Sequence, residues 1–387
     1  MISRTLSKHL LQAAKSIPVV AITGPRQSGK TTLVKNTFAN YPYLNLEDIE
    51  LREYAKSDPK GFLQPYTSGL IIDEIQYVPE LFSYIQVIVD ERENNGMFIL
   101  TGSQNFSLLS NVAQSLAGRV LLYELHPFSY LELGSTNFWM DNYEDFLFKG
   151  FYPRLYKQNL DPSTWLNSYV RTYVDRDLRQ MINIGDLSIF QQFLKLCAAR
   201  TGQILNLSSM GNQLGISYQT VKKWLSVLEA SYIIYLLPPY YNNFNKRITK
   251  SPKLYFYDVG LASFLLGLRS SDQVKSHYLR GELFETLILS EIKKRFCHQG
   301  KELPLYYWRN HNETELDCVF QNGDQEIGIE IKSARTINNK FFSGLNYWAK
   351  LTGTTSDNLY LIYGGEEVQS RSVANVQGWK FLDLNLI

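Results

Sequence analysis

The chain has 387 residues, too many for one ordinary hydrophobic core, so two or three domains are expected, and its 44% apolar and 20% charged residues fit a soluble globular protein. A net charge of +2 gives no whole-chain polyanion signal, so a nucleic-acid surface has to come from local clustering. The three cysteines, Cys197, Cys297 and Cys318, include no pair at metal-ligand spacing. They argue against a disulfide framework and a zinc site and point to a reducing cytoplasm. Residues 1–23 lack a long apolar segment with a cleavage site, and no run approaches the roughly 18 apolar residues of a membrane span, so no membrane partner is expected.

Pro18–Thr23 is a buried-type strand run, and Lys30–Phe38 reads as a helix after the intervening turn. Further strand-length apolar runs lie at 70–75, 97–101 and 120–125. Leu81, Ile85, Ile88 and Val89 recur at helical spacing between the first two, so strands alternate with crossover helices in a three-layer α/β domain over residues 1–135. The turn itself, Gly24, Pro25, Arg26, Gln27, Ser28, Gly29, Lys30 and Thr31, matches G-x-x-x-x-G-K-[ST], and Thr32 follows directly. Glycines let backbone N–H groups turn inward around phosphate oxygens, and the helix that starts there aims its positive end at the same anion. Lys30 would reach the β- and γ-phosphates, and Thr31 would bind Mg²⁺.

A magnesium site also needs a carboxylate at a neighbouring strand end. Leu70-Ile-Ile-Asp73-Glu74 supplies two: Asp73 to hold Mg²⁺ and its water shell, Glu74 to orient or deprotonate the attacking water. Thr101-Gly102-Ser103-Gln104 ends the next strand, where Ser103 is placed to sense a γ-phosphate. Arg119 reads either as an arginine finger, in cis or across a subunit contact of a homo-oligomer, or as an ordinary salt-bridge partner.

Residues 136–235 carry helical periodicity. Within them, 207–237 have the proportions of a helix-turn-helix with a strand-like wing, Ser217 as N-cap of the second helix, and Tyr218, Gln219, Lys222 and Lys223 on its exposed face. Six Lys or Arg against one acid between Leu214 and Tyr257 supply the local basic clustering that makes DNA a credible partner; a lid packed on the ATPase core is the other reading. The Pro-Pro-Tyr-Tyr-Asn-Asn stretch at 238–243 is the best linker candidate.

From Leu303 the pattern returns to short strands, after a helix-like Leu283–Phe296. Asp317 in one strand, with Glu330 and Lys332 on one face of another, gives two carboxylates and an ammonium able to meet at one metal and a water, the set metal-assisted phosphodiester hydrolysis needs. Glu285 on the preceding helix would complete it; the alternative is an internal salt-bridge network.

Together these motifs resemble a family of bacterial and archaeal AAA+ superfamily ATPases whose C-terminal domain resembles the restriction-endonuclease fold. The resemblance rests on Gly24–Thr31, Leu70–Gln76, Leu100–Gln104, Leu116–Arg119, Pro127–Ser129, Tyr169–Asp177, Lys253–Leu261, Gly281–Glu285 and Glu330–Ser333. It implies an N-terminal P-loop ATPase domain (1–135), an α-rich winged-helix middle (136–255) and a nuclease-like α/β domain (256–387), with ATP as the nucleotide. In and just after one of its motifs, Tyr169–Asp177, Arg171, Arg176 and Arg179 can face nucleotide, DNA, or Asp175 and Asp177.

Overall fold

The computed structural model describes residues 2–103, 115–134, 136–173, 186–240 and 251–382. Gln104, Asp175, Arg176, Asp177 and Arg179, singled out above, lie outside them, as do residues 241–243 of the linker candidate.

Strand β1 (Val19–Thr23) is buried at every position, as an unbroken apolar run requires of a strand covered on both faces. It joins β2 (Tyr43–Asn45), β3 (Leu70–Asp73), β4 (Phe98–Thr101) and β5 (Val120–Glu124) in a parallel sheet of order β2-β3-β4-β1-β5. Alternate residues face opposite sides. Val19, Ala21, Ile72 and Leu100 pack on Leu81, Phe82 and Ile85 of the helix Leu81–Arg92. Val20, Ile22, Ile71 and Ile99 pack on Leu6 and Leu10 of Leu6–Ala14 and on Leu33 and Val34 of Lys30–Thr37. This is the expected α/β class, with β2 added at an edge. The strand expected over 70–75 stops at Asp73 because Glu74 turns left-handed, at φ 56°.

The helices Leu207–Leu214 and Tyr218–Ala230 meet at Gly215, whose φ of 66° ends the first. Ser217 caps the second, its Oγ accepting from the Thr220 N–H at 3.1 Å. An antiparallel ribbon follows, β6 (Ile234–Leu237) with β7 (Lys253–Phe256). Beyond the helix Arg280–Cys297, β8 (Tyr306–Arg309), β9 (Glu315–Asn322), β10 (Gln325–Lys332), β11 (Leu359–Tyr363), β12 (Val368–Ser370) and β13 (Asn375–Gly378) form a mixed sheet of order β12-β13-β11-β10-β9-β8.

One face of this sheet is covered by Leu345 and Trp348 of the helix Ser343–Thr352. The other packs on Arg280–Cys297 within a single core that, among the described residues, has members from Phe128 to Leu382 and takes in the middle helices and the ribbon. The described end of the linker candidate is no loose tether. The Tyr240 N–H donates to the Tyr307 carbonyl at 2.7 Å and its hydroxyl to Glu326 at 2.5 Å, which fastens it to the edge strand β8 and to β10. No helix among the described residues is long and apolar enough to cross a membrane.

Candidate functional site

Loop 24–31 leaves the carboxyl end of β1, where ligands of open parallel sheets bind. Gly24 has φ 144°, and a Cβ there would lie 2.2 Å from the Leu125 carbonyl, so only glycine fits. Gly29, at φ 96°, is the N-cap of Lys30–Thr37 and frees the first N–H groups of that helix to face an anion. Lys30 is buried and donates to the carbonyls of Gly24 at 2.9 Å and Pro25 at 3.0 Å. Burial pushes its ammonium down to about 8 against the pull of Glu74 and Asp73, so a polyanion entering the loop would raise it again and hold the charged form. Arg26 lies over the Tyr173 ring at 5.5 Å, Gln27 is exposed at φ 65°, and Thr32 is the exposed third residue of the helix. Ser28 is fully buried, and its Oγ has no hydrogen-bond partner among the described residues.

Strand β4 lies between β1 and β3, so its end separates the loop from the tandem acids. Asp73 accepts from Thr31 Oγ1 and from the Tyr43 hydroxyl, each at 2.7 Å, and from Thr101 Oγ1. Glu74 accepts from Ser103 Oγ at 3.0 Å and from Gln76 Nε2. A hydroxyl and a carboxylate facing each other across 2.7 Å form a hard oxygen donor set that suits Mg²⁺. Sequence reasoning missed Tyr43 and the link from Thr101 to Asp73. Parallel register was the available signal for Thr101, since β3 and β4 end side by side.

Arg119 is not part of this constellation. It precedes β5 at the amino edge of the sheet, its carbonyl accepting from Val19 N–H, with the length of β1 between it and the loop. Its guanidinium is paired with Asp90, Nη2 to Oδ2 2.8 Å. Five strand residues span roughly 16 Å, which puts the cis form of the arginine finger out of reach.

In the C-terminal sheet the β9–β10 register sets Asp317 opposite Glu330, and Lys332 lies 2.5 Å from Glu330 and 3.5 Å from Asp317. Asp317 also accepts from the Ile331 N–H at 2.7 Å. Glu285 bonds instead to Lys253 of β7 at 3.2 Å and to the Tyr255 hydroxyl, and Lys253 also pairs with Glu315. Lys253, Tyr255 and Glu315 were not among the expected residues. Burial, with Asp317 nearby, raises the Glu330 carboxyl to about 8. Burial and Asp317, opposed by Lys253, bring Glu285 to about 7.

Asp317, Glu330 and Glu285 do not close into a common metal-ligand trio. Among the described residues only Glu124, His126 and Cys297 place donor atoms all within 4.8 Å of one another. In that trio His126 Nε2 at 3.1 Å and the Cys297 thiol at 3.8 Å share one Glu124 oxygen. On the helix Tyr218–Ala230, residues Tyr218, Gln219, Lys222 and Lys223 are exposed as expected, and Arg171 is exposed as well.

Residues 16–134 match the family described as AAA domain. Residues 140–272 match a Domain of unknown function (DUF8612), and 280–385 match a Domain of unknown function (DUF4143). An uncharacterized protein of Mycobacterium tuberculosis is 28% identical over 339 residues, which is 86% of this chain and 74% of that protein. One of Methanocaldococcus jannaschii is 25% identical over 351 residues, 81% of this chain and 75% of that protein. The solved structure of a Walker-type ATPase of Pyrococcus abyssi superposes with a TM-score of 0.47 at 15% identity, over 68% of this chain and 96% of that one. The stretch that matches the AAA domain in sequence is the one that folds into the parallel sheet and carries Gly24–Thr31, Asp73 and Glu74.

Proposed function

We propose that the N-terminal domain binds Mg·ATP and hydrolyses it, and that the nucleotide state governs how the rest of the chain engages DNA. The observation that carries this reading is the Thr31–Asp73 hydrogen bond, which joins the phosphate loop to a strand end whose next residue is a second carboxylate. When bound, Mg²⁺ neutralises charge on the β- and γ-phosphates. Thr31 and Asp73 would hold it, Lys30 pairs with the phosphates, and Glu74, steadied by Ser103, receives the proton of the attacking water. Arg119, half-buried and paired through two nitrogens with Asp90, would serve only across a subunit contact of a homo-oligomer, where an incoming phosphate takes the place of Asp90. The helix pair with its ribbon supports a winged-helix reading, with Tyr218, Gln219, Lys222 and Lys223 facing DNA.

For the C-terminal, restriction-endonuclease-like domain two readings remain, metal-dependent cleavage at Asp317, Glu330 and Lys332, or binding without cleavage. The pinning of the acids by Lys332 and Lys253 favours binding. The test is Mg²⁺- or Mn²⁺-dependent cutting of plasmid, linear and branched DNA, alongside ATP turnover, in wild type, Lys30→Ala and Asp317→Ala. Turnover is expected to fall to background in Lys30→Ala, and normal turnover there would sink the ATPase reading. Cleavage that disappears in Asp317→Ala would replace the binding reading with a nuclease.

A further inference from the structure

Arg4 belongs to no motif of the nucleotide site, yet its side chain is only 7% exposed and runs directly beneath the phosphate loop. Its Nη1 donates to the Ser28 carbonyl at 2.9 Å, its Nη2 to the His126 carbonyl at 2.6 Å, and its Nε to Glu132 Oε1 at 3.1 Å. The Phe128 ring lies 4.8 Å from the guanidinium carbon. A Cβ on Gly29 would come within 3.7 Å of Nη1, so the side chain passes close against the loop's last glycine.

The Ser28 carbonyl and the Gly29 N–H belong to one peptide unit, and in a trans peptide they point to opposite sides. A carbonyl drawn outward to a cation turns the following N–H inward. A phosphate nest needs its N–H groups inward and is spoiled by a carbonyl that flips toward the anion. We infer that Arg4 is a positioning residue of the nucleotide site: it fixes the Ser28–Gly29 peptide so that the Gly29 N–H faces the phosphates. The inference rests on the Mg·ATP reading above.

The geometry is more than a buried ion pair requires. Glu132 is already oriented by the Thr5 N–H at 2.8 Å and the Ser129 N–H at 3.1 Å, and it meets Arg4 through Nε alone. Both outer nitrogens of the guanidinium go to main-chain carbonyls, one in the loop and one just beyond β5. A lysine, with a single point of charge on a flexible stem, cannot hold those three acceptors in one plane.

The test is competition against a fluorescent ADP by ADP, inorganic pyrophosphate and adenosine, for wild type, Arg4→Lys, and Arg4→Met combined with Glu132→Gln. The lysine variant keeps the charge beside Glu132, and the double variant removes both charges, so neither strands a buried ion; thermal melts verify folding. ADP and pyrophosphate affinities should fall about 10- to 100-fold in the double variant and less in Arg4→Lys, the span expected for a lost charge-assisted hydrogen bond, with adenosine unchanged. Folded variants that bind ADP and pyrophosphate as wild type does would overturn the inference, and so would an equal loss for adenosine, which marks a general structural defect. Wild-type protein that binds no ADP at all would instead bring down the Mg·ATP reading itself.

Discussion

Glu74 sits in a left-handed turn immediately after β3, held by Ser103 Oγ at 3.0 Å and by Gln76. Its tether to the end of β4 gives its carboxylate a fixed direction before any substrate arrives. Glu74→Gln should keep Mg·ATP affinity within about threefold while slowing single-turnover hydrolysis at least about 100-fold, the usual worth of a general base. Undiminished single-turnover rates would assign the proton to another group. At this scale the sequence is most informative where chemistry is local. Lys30 and Thr31 lie inside one eight-residue motif, and Asp73 and Glu74 end one apolar run. Arg4, Tyr43 and Lys253 were given no role in either site because their partners are 24 to 128, 30, and 32 or more positions away, and an isolated Arg, Tyr or Lys carries no spacing to read.

The second helix of the helix-turn-helix buries Val221, Trp224, Leu225 and Leu228 and leaves Lys222 and Lys223 in solvent. Its buried stripe is fixed by packing, so the exposed face is free to meet a phosphate backbone. Lys222→Ala with Lys223→Ala should weaken duplex binding and flatten the plot of log K against log salt by about 0.9 for each phosphate that is no longer neutralised. An unchanged slope would turn this face into packing surface for another protein element. Elements with a strong period were legible: the three buried strands β1, β3 and β4, the edge strand β5 and the helix Arg280–Cys297 lie close to their expected places. Strand β2 was not, because three half-buried residues at a sheet edge have too few positions to show alternation. The 238–240 stretch misled for a different reason. Pro-Pro and polar neighbours signal a break in regular structure, yet they do not forbid an edge contact of the kind Tyr240 makes with Tyr307.

Across the whole molecule, the helix Arg280–Cys297, the ribbon strand β7 and the C-terminal sheet converge on one buried charge cluster, Glu285, Glu315, Asp317 and Glu330 with Lys253 and Lys332. Glu330 and Glu285 are raised from 4.5 to about 8 and about 7, so the folded chain holds protons there that the unfolded chain releases. Their contribution to stability is therefore present in full below pH 4.5 and is lost as pH rises through 7 to 8. Between pH 5 and 8 the melting temperature should fall with rising pH, and Glu330→Gln should flatten that slope; a parallel curve for the variant would show that this carboxyl does not drive it. The cluster as a whole was only half legible, since strand alternation predicts Glu330 beside Lys332, whereas nothing in the sequence announces that β7 delivers a second lysine.

The single core shared by described residues from Phe128 to Leu382 also bears on how such a chain can change over time. Recombination that exchanged only the last third would strip Lys253 of its counter-charges and leave the apolar side of the ribbon facing an unrelated surface. The stretches on either side of that would-be joint are therefore bound to be inherited together, and new specificity has to come by substitution within them rather than by trading one part for another.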